Sequence, residues 1–238
     1  MIPKLTKCYK QVFEKLILFE NFQLNKNIYF KLINDQILQT ICIQNSWYGK
    51  SFTFNVGFFP ICIGFSDIDQ LKTGTFRLGQ LVKGNDFWWD YNNEDEVESL
   101  VLDAFNEIKN TILPLSTKII DNQSYLYYVD EIEKSIYGIP IESRSTKLWV
   151  NLKLQNYVKA LDIIHKIELQ NYSAASDNRT LYINEDEYRT YMQKIEEGLI
   201  ELRQIKMAIL DNNISSINEL LMRNEEISKS MIDKLTKK

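Results

Sequence analysis

A block of alternating apolar residues between Asn27 and Tyr91 constrains the fold of this chain more than any other feature. Apolar residues alternate with their neighbours in three successive stretches, at residues 28–33, at residues 41–44 within a strand predicted over residues 37–44, and at residues 52–58. This period of two is typical of half-buried antiparallel strands, because successive side chains of a strand point to opposite faces. Along the third stretch, one face carries four apolar side chains: Phe52, Phe54, Val56 and Phe58. We expect these four side chains to point into a shared interior.

Polar turn segments separate these strands. Asn34–Asp35 follows the first stretch, and Trp47–Lys50 precedes the third. Asn, Asp and Gly favour the turns of β-hairpins, and six of the eight glycines lie within the block. Further strands are predicted at residues 61–65 and 75–82. The block therefore predicts an antiparallel meander of about five strands, which is near the usual size of a sheet.

Helices are predicted on both sides of this sheet. Apolar residues recur at helical spacing over residues 9–20. Asn92 or Asn93 is a suitable N-cap for a second helix, and the acidic residues 94–96 would complement its dipole. Pro114 marks the expected end of this second helix. We expect it to cover one face of the sheet.

The remainder of the chain is predicted to be helical. The pattern over residues 121–137 favours a helix, followed by an irregular segment through Gly138 and Pro140. From Thr146 onward, short helices are expected to pack as hairpins, with a break near Gln155–Asn156.

Caps and breakers divide the last part of the chain. Asn184 and Glu187 form a variant of the capping box that would open a long helix. Gly198 lies inside that helix and favours a close helix contact. A loop is predicted at residues 173–178. Residues 211–213 break the helical pattern, and two further helices are expected after them.

The strand block also resembles a known family. The run ICIQNSWYGKSFTFNVGFF at residues 41–59 is followed by FRL and by a Trp pair before an acidic helix start. This arrangement is similar to a bacterial family catalogued as domain of unknown function number 4304, over roughly residues 1–135. The resemblance implies an α+β domain and a bacterial origin, and it supplies no catalytic residue. We predict an α+β fold, with a sheet domain at residues 1–140 and a helical region at residues 141–238.

Length and composition favour a cytoplasmic protein. A chain of 238 residues with 45% hydrophobic residues can bury the core of one large domain or two modest ones. Its apolar runs are shorter than the ~20 residues that span a membrane, and no signal segment is recognised, so no membrane association is expected. The three cysteines, Cys8, Cys42 and Cys62, lack close pairing, which is typical of buried thiols in a reducing compartment.

Charge and motifs exclude several classes of protein. The net charge is −4, and the sequence has no concentrated basic stretch, so nucleic-acid binding is not expected. An acidic helical half could instead meet a basic protein partner. The sequence has neither a GxxxxGK[ST] loop nor a GxGxxG after a strand, which are the two common nucleotide cradles. No cofactor is predicted.

Histidine and cysteine chemistry has little support. His165 is the single histidine, so a triad or a two-histidine metal site has no second histidine to use. We expect it to be a hydrogen-bonded residue of a helix. The cysteines lack CxxC spacing, which argues against a structural zinc site.

Two pairs of carboxylates are the remaining candidates for chemistry. Asp67 and Asp69 could hold a divalent cation, because alternate residues of an extended segment project to one side. Asp86 and Asp90 flank the Trp pair, where apolar rings could raise the pKa of a carboxyl group. In each case an Asp that accepts local backbone hydrogen bonds is the alternative. For Arg77, a structural salt bridge is expected rather than substrate capture.

Five aromatic residues are the candidate protein-binding residues. Trp47 and Tyr48 lie at a predicted hairpin tip, and Trp88, Trp89 and Tyr91 lie at the exit from the sheet. They could close the ends of the core, because large rings dominate core packing. They could instead form an exposed anchor for another protein, since Trp and Tyr are favoured at binding hot spots.

Three functional hypotheses follow. The preferred one is a non-enzymatic protein-interaction module, of the kind found in immunity or antitoxin proteins, that binds another protein. The second is a metal-dependent hydrolase or nuclease that uses carboxylates such as Asp67 and Asp69. The third is a helical scaffold whose C-terminal hairpins bind a peptide. The oligomeric state is left open.

Overall fold

An antiparallel sheet is the framework of the computed structural model. Its six strands within the described residues are β1 Gln23–Asn25, β2 Ile28–Ile33, β3 Ile37–Asn45, β4 Ser51–Pro60, β5 Phe76–Arg77 and β6 Trp89–Asp90. The first five strands follow one another across the sheet, and β6 pairs with β4 on the same edge as β5. The predicted α+β class, with an antiparallel sheet and a helical C-terminal region, is confirmed.

The structure describes residues 3–135, 144–179 and 184–237. It divides into two compact units. The first, here called the sheet unit, consists of residues 1–142 and 224–238, and the second, the helical unit, consists of residues 143–223. The domain boundary predicted at residue 140 and the irregular segment predicted at residues 138–140 lie outside the described residues.

The strands β2, β3 and β4 form two successive hairpins, as the alternation predicts. In the first hairpin Ile28 lies opposite Cys42. Its turn residues Asn34 and Asp35 have φ values of 47° and 54°. A type I′ turn requires positive φ at both central residues, and Asn and Asp tolerate that conformation better than most side chains.

Two of the predicted strands are wrong. The first, at residues 61–65, contains a 3₁₀ turn instead. Within the second, at residues 75–82, β5 ends at Arg77 and a helix spans Leu78–Lys83. The Arg77 N–H donates to Gln80 Oε1 at 2.9 Å, which satisfies a backbone donor at the start of that helix. This local cap favours helix over continued pairing with β4.

Six helices of the sheet unit precede the gap at residue 136. They are α1 Pro3–Glu20, α2 Ile68–Thr73, α3 Leu78–Lys83, α4 Val97–Glu107, α5 Leu113–Ser116 and α6 Asn122–Ser135. The helix predicted from residue 94 begins at Val97 instead, and Pro114 does not end it. A π turn at Ile108–Ile112 joins α4 to α5. Pro114 lies in the first turn of α5, where a missing N–H costs no helical hydrogen bond.

Helices make up the described part of the helical unit, and all of them except the ten-residue α7 are long. They are α7 Arg144–Lys153, α8 Tyr157–Asn178, α9 Glu185–Leu210 and the first part of α10 Ile214–Thr236. The predicted break between α7 and α8 is confirmed at Gln155, where φ is 59°. The predicted cap of α9 is also confirmed, because Asn184 Oδ1 accepts the Glu187 N–H at 2.9 Å.

Three predictions for the C-terminal region are wrong. Residues 173–178 are part of α8, in which burial of Ala175 outweighs the weak helix propensity of its Ser and Asn neighbours. A single helix, α10, follows the break at residues 211–213 instead of two. A side chain at Gly198 would meet nothing within 4 Å, so this glycine does not mark a close helix contact.

One face of the sheet packs on α1. Its four predicted core residues, Phe52, Phe54, Val56 and Phe58, are fully buried. The Phe13 ring of α1 stacks on Phe54 with 4.9 Å between centroids. Phe105 of α4 meets the same Phe13 ring edge-on at 5.1 Å. The α1 helix therefore supplies the ring that contacts Phe54, and α4 packs on α1.

The other face of the sheet is covered by α2 and by the end of α10. Its core cluster contains Ile28, Phe30, Leu38, Cys42, Phe59, Leu71, Met231 and Leu235. Two polar contacts fix α10 on this face. The Phe65 N–H donates to Ser228 Oγ at 3.2 Å, and Asn224 Nδ2 donates to the Cys62 carbonyl at 3.1 Å. Residues near the C-terminus therefore complete the core of the sheet unit.

None of the described helices has both the length and the apolar character that a membrane crossing requires.

Phe54→Ala should lower the free energy of unfolding by about 3–5 kcal/mol, because it removes a fully buried ring and leaves a cavity. The matched control is Phe19→Ala on α1, whose ring is 74% exposed, and this change should stay within about 0.5 kcal/mol of the parent. Chemical denaturation of both variants measures the difference. Equal losses would contradict the placement of Phe54 in the core.

Burial raises the pKa of the Cys42 thiol from 9.0 to about 12. The folded state therefore retains a proton that the unfolded chain loses, so this contribution to stability is complete below pH 9 and lost towards pH 12. Denaturation at a series of pH values should show a shallower alkaline loss for Cys42→Ala than for the parent. Val56→Ala removes core volume but no thiol, and it should keep the parent slope.

Candidate functional site

The candidate site lies at one end of the sheet, where the β3–β4 hairpin meets the segment that leads into β6. Phe52 at the start of β4 lies opposite Trp89 of β6. Just beyond this pair, the Tyr91 N–H donates to the Lys50 carbonyl at 2.9 Å. Strand pairing thus brings together the two aromatic segments that the sequence places far apart.

The tip of the hairpin presents two aromatic rings to solvent. Trp47 is 92% exposed and Tyr48 is fully exposed. The base of the tip is closed by the Ser46 N–H, which donates to the Ser51 carbonyl at 3.0 Å. The Tyr48 N–H donates to Ser46 Oγ at 3.1 Å. An ordered turn therefore holds two large rings away from the core.

Trp89 and Tyr91 belong to the core rather than to the surface. Trp89 is 2% exposed, stacks on Phe52 at 6.2 Å between centroids and donates its indole N–H to Asp103 Oδ2 at 2.9 Å. Tyr91 is also buried and packs near Phe52. Both residues therefore close the end of the core, and neither forms an exposed anchor for another protein.

Trp88 is half-buried and lies under a cation. The Arg77 guanidinium lies over its ring, 5.3 Å from the centroid. The same guanidinium forms an ion pair with Asp86. Arg77 therefore makes the structural salt bridge expected from the sequence, and it also fixes the face of Trp88.

An open groove separates the hairpin tip from the segment before β6. Its volume is about 590 Å³, and it is lined by Ser46, Tyr48, Ser51, Asn85, Asp86, Phe87, Trp88 and Asp90. Within the described residues, the Asp90 side chain has no hydrogen bond or ion pair. The groove thus combines aromatic walls with one carboxylate that is free to meet a ligand. We call the exposed rings of Trp47, Tyr48 and Phe87, together with the half-buried ring of Trp88, the aromatic surface.

Gly79 is a positioning residue that the sequence patterns did not single out. It lies in α3, and a Cβ at this position would come within 2.4 Å of the Phe87 carbonyl oxygen. Thr53 Oγ1 donates to the same carbonyl at 3.3 Å. The segment before β6 can therefore approach α3 only because position 79 has no side chain. An isolated glycine within the strand predicted at residues 75–82 is the signal that could have indicated this approach.

Comparison with known proteins identifies the segment that carries this surface. Residues 22–118 match the family model described as Domain of unknown function (DUF4304). The predicted resemblance is confirmed over these residues. The DUF4304 segment contains all six described strands and the aromatic surface, whereas α1 and α10 lie outside it. No curated protein and no solved structure matches the chain.

The candidate metal ligands Asp67 and Asp69, which lie in the DUF4304 segment, have local roles. Asp67 caps α2, and its Oδ1 accepts the Asp69 N–H at 2.9 Å. Asp69 pairs with Lys72 at 2.6 Å. In the described parts of the chain, His, Cys, Asp and Glu form no group of three that could hold a metal ion. Asp67 therefore accepts a local backbone hydrogen bond, which is the alternative noted for Asp near turns, whereas Asp69 forms an ion pair within the same helix.

Titratable residues of the helical unit form a network that joins α8 to α9. Tyr172 donates to Glu196 Oε1 at 2.6 Å, and Arg203 pairs with Glu196 Oε2 at 2.6 Å. The Arg203 hydrogen bond holds the pKa of Glu196 below its usual value, and the bond to Glu196 raises the pKa of Tyr172. His165 lies on α8 with an exposed side chain. The contacts of Tyr172 with Glu196 and of Glu196 with Arg203 therefore join α8 to α9.

Asp86→Ala should release Arg77 from its ion pair and loosen the cation over Trp88, with a stability loss of at most about 1 kcal/mol because the pair is partly exposed. Asp90→Ala is the matched control in the same groove. The indole N–H resonance of Trp88 should shift in Asp86→Ala and stay unchanged in Asp90→Ala. Equal shifts would contradict the role of Asp86 in holding Arg77.

Proposed function

We propose that this chain is a non-enzymatic protein-interaction module that binds another protein through the aromatic surface. The observation that carries the proposal is the exposure of Trp47 and Tyr48 on an ordered hairpin tip. Exposing two large rings costs the favourable free energy of burying them, which a binding partner would recover. Trp and Tyr are also the residues most enriched among binding hot spots.

The groove supports a partner with basic side chains. Asp90 offers an unpaired carboxylate beside the aromatic walls, and the whole chain has a net charge of −4. A guanidinium or ammonium group of the partner would meet this carboxylate and the π-face of Tyr48 together. We propose a basic protein as the partner, in the manner of an immunity or antitoxin factor of the bacterial cytoplasm.

Two other functions have weaker support. A carboxylate-based hydrolase would need Asp67 and Asp69 to converge on a metal, but each is engaged by a neighbouring group of α2. A peptide-binding helical scaffold has one observation in its favour. A groove of about 820 Å³ lies between α9 and α10 in the helical unit, with Ile200, Met207 and Leu220 in its lining.

A photo-crosslinking residue tests these alternatives directly. Placed at position 48 in the full chain and expressed in the source cell, it should capture one basic protein. The same residue at position 207, in the groove of the helical unit, should capture none. Capture from position 207 alone would favour the helical scaffold and overturn the proposal.

Alanine variants then measure the contribution of each ring. Trp47→Ala and Tyr48→Ala should each weaken binding of the captured partner by roughly 30-fold, as expected for hot-spot residues, without lowering stability. Tyr127→Ala is the control, because Tyr127 is an exposed aromatic residue of α6 outside the aromatic surface. Calorimetry with purified proteins provides the affinities. A loss below threefold in both hairpin variants would refute the assignment.

A further inference from the structure

A second concave site lies in the sheet unit, between the C-terminal part of α1 and the π turn. Its volume is about 380 Å³, and its lining residues are Lys15, Leu16, Phe19, Glu20, Phe105, Lys109 and Leu113. The volume lies within the range of small-molecule sites, which is about 300–1,000 Å³. We call this site the α1 pocket.

The pocket forms because α1 and α4 run side by side in the same direction. Near their starts, Lys4 pairs with Asp95 at 2.8 Å. Further along, the rings of Phe13 and Phe105 are in contact at 5.1 Å. The two helices thus bring Phe19 at the end of α1 beside the π turn that follows α4.

The π turn aligns the second wall of the pocket. Within it the Leu113 N–H donates to the Ile108 carbonyl, five residues earlier. Residues four apart in an α-helix drift round its axis, because a full turn takes about 3.6 residues. The wider π turn offsets this drift, so Phe105, Lys109 and Leu113 all line the same pocket. Single π turns of this kind occur frequently at functional sites.

Apolar side chains near the pocket remain in contact with water. Phe19 in its lining is 74% exposed, and the neighbouring Leu18 is 65% exposed. Leu16 and Phe105 provide a buried apolar floor. An apolar ligand seated there would cover Phe19 and recover part of the free energy that its exposure costs.

Two lysines give the pocket its charge. Lys15 lies with its ammonium 5.8 Å from the centre of the Phe105 ring, and Lys109 lies one turn beyond Phe105. Within the described ranges, neither ammonium group forms an ion pair. Glu20 is the acidic group in the lining. Burial lowers the pKa of Lys31, and Glu20 acts against this shift, so the Glu20 charge also interacts outside the pocket.

We propose that the α1 pocket binds a small amphipathic carboxylate, such as a medium-chain fatty acid. The apolar body of the ligand packs on Phe19, Phe105 and Leu113, and its carboxylate lies between the ammonium groups of Lys15 and Lys109. A concave lining with two unpaired cations at its edge fits a small anion better than a protein surface, since protein interfaces are larger and flatter. This inference is independent of the aromatic surface.

Calorimetric titration of the full chain with decanoate, and in parallel with 1-decanol, tests the proposal. Decanoate should bind at one saturable site, and decanol should bind at least tenfold more weakly because it lacks the charge. Lys15→Gln with Lys109→Gln should weaken decanoate roughly tenfold and leave decanol unchanged. The control, Lys7→Gln with Lys10→Gln, removes two exposed charges of α1 outside the pocket and should bind both ligands normally.

Phe19→Ser provides a second variant that preserves the fold, because the ring is largely exposed, and it should weaken decanoate and decanol equally. Trp47→Ala should bind decanoate like the parent. Equal affinity for the two ligands, several non-saturating sites, or equal weakening in the control pair would overturn the proposal. Binding of an acidic Phe-containing peptide in the absence of decanoate binding would also overturn it.

Discussion

Burial of β4 on both faces is the constraint on which the sheet unit depends. All ten residues from Ser51 to Pro60 are buried. A strand without a solvated face cannot lie at a surface, so each side of the sheet needs its own cover. On one side the cover is α1, through Phe13 on Phe54. On the other side it includes Leu71 of α2 and Met231 near the end of α10. Segments from both ends of the chain therefore return to one strand.

The same constraint explains where the aromatic surface lies. The core ends at Phe52, where Trp89 stacks, and the hairpin continues past this ring into solvent. Trp88 and Trp89 are neighbours in sequence, yet Trp89 is buried and Trp88 lines the groove. This division follows from the alternation of side chains along an extended segment. Trp89 is buried and hydrogen-bonded to Asp103, so it fixes the segment that presents Trp88.

The strong periodic segments were predicted well, and the short elements were not. The β2–β3–β4 hairpins follow from alternation and from the turn at Asn34–Asp35, because both signals are local. The pattern over residues 75–82 predicted a strand, whereas the Gln80 side chain accepts the Arg77 N–H and favours helix from Leu78. At residues 173–178, burial of Ala175 outweighed a composition typical of loops. The outcome at residues 173–178 depends on the packing around Ala175, which a local sequence pattern does not contain.

The sequence by itself determined the antiparallel sheet, its interior face and the set of aromatic residues at its end. A period of two places every second side chain of a strand on one face of the sheet, independently of the segments that pack against that face. Tertiary structure decided which rings reach solvent, and it assembled the α1 pocket from Phe19 of α1 and Lys109 of the π turn. Side chains distant in sequence meet only when helices pack, and packing depends on the complementarity of whole surfaces rather than on any single segment.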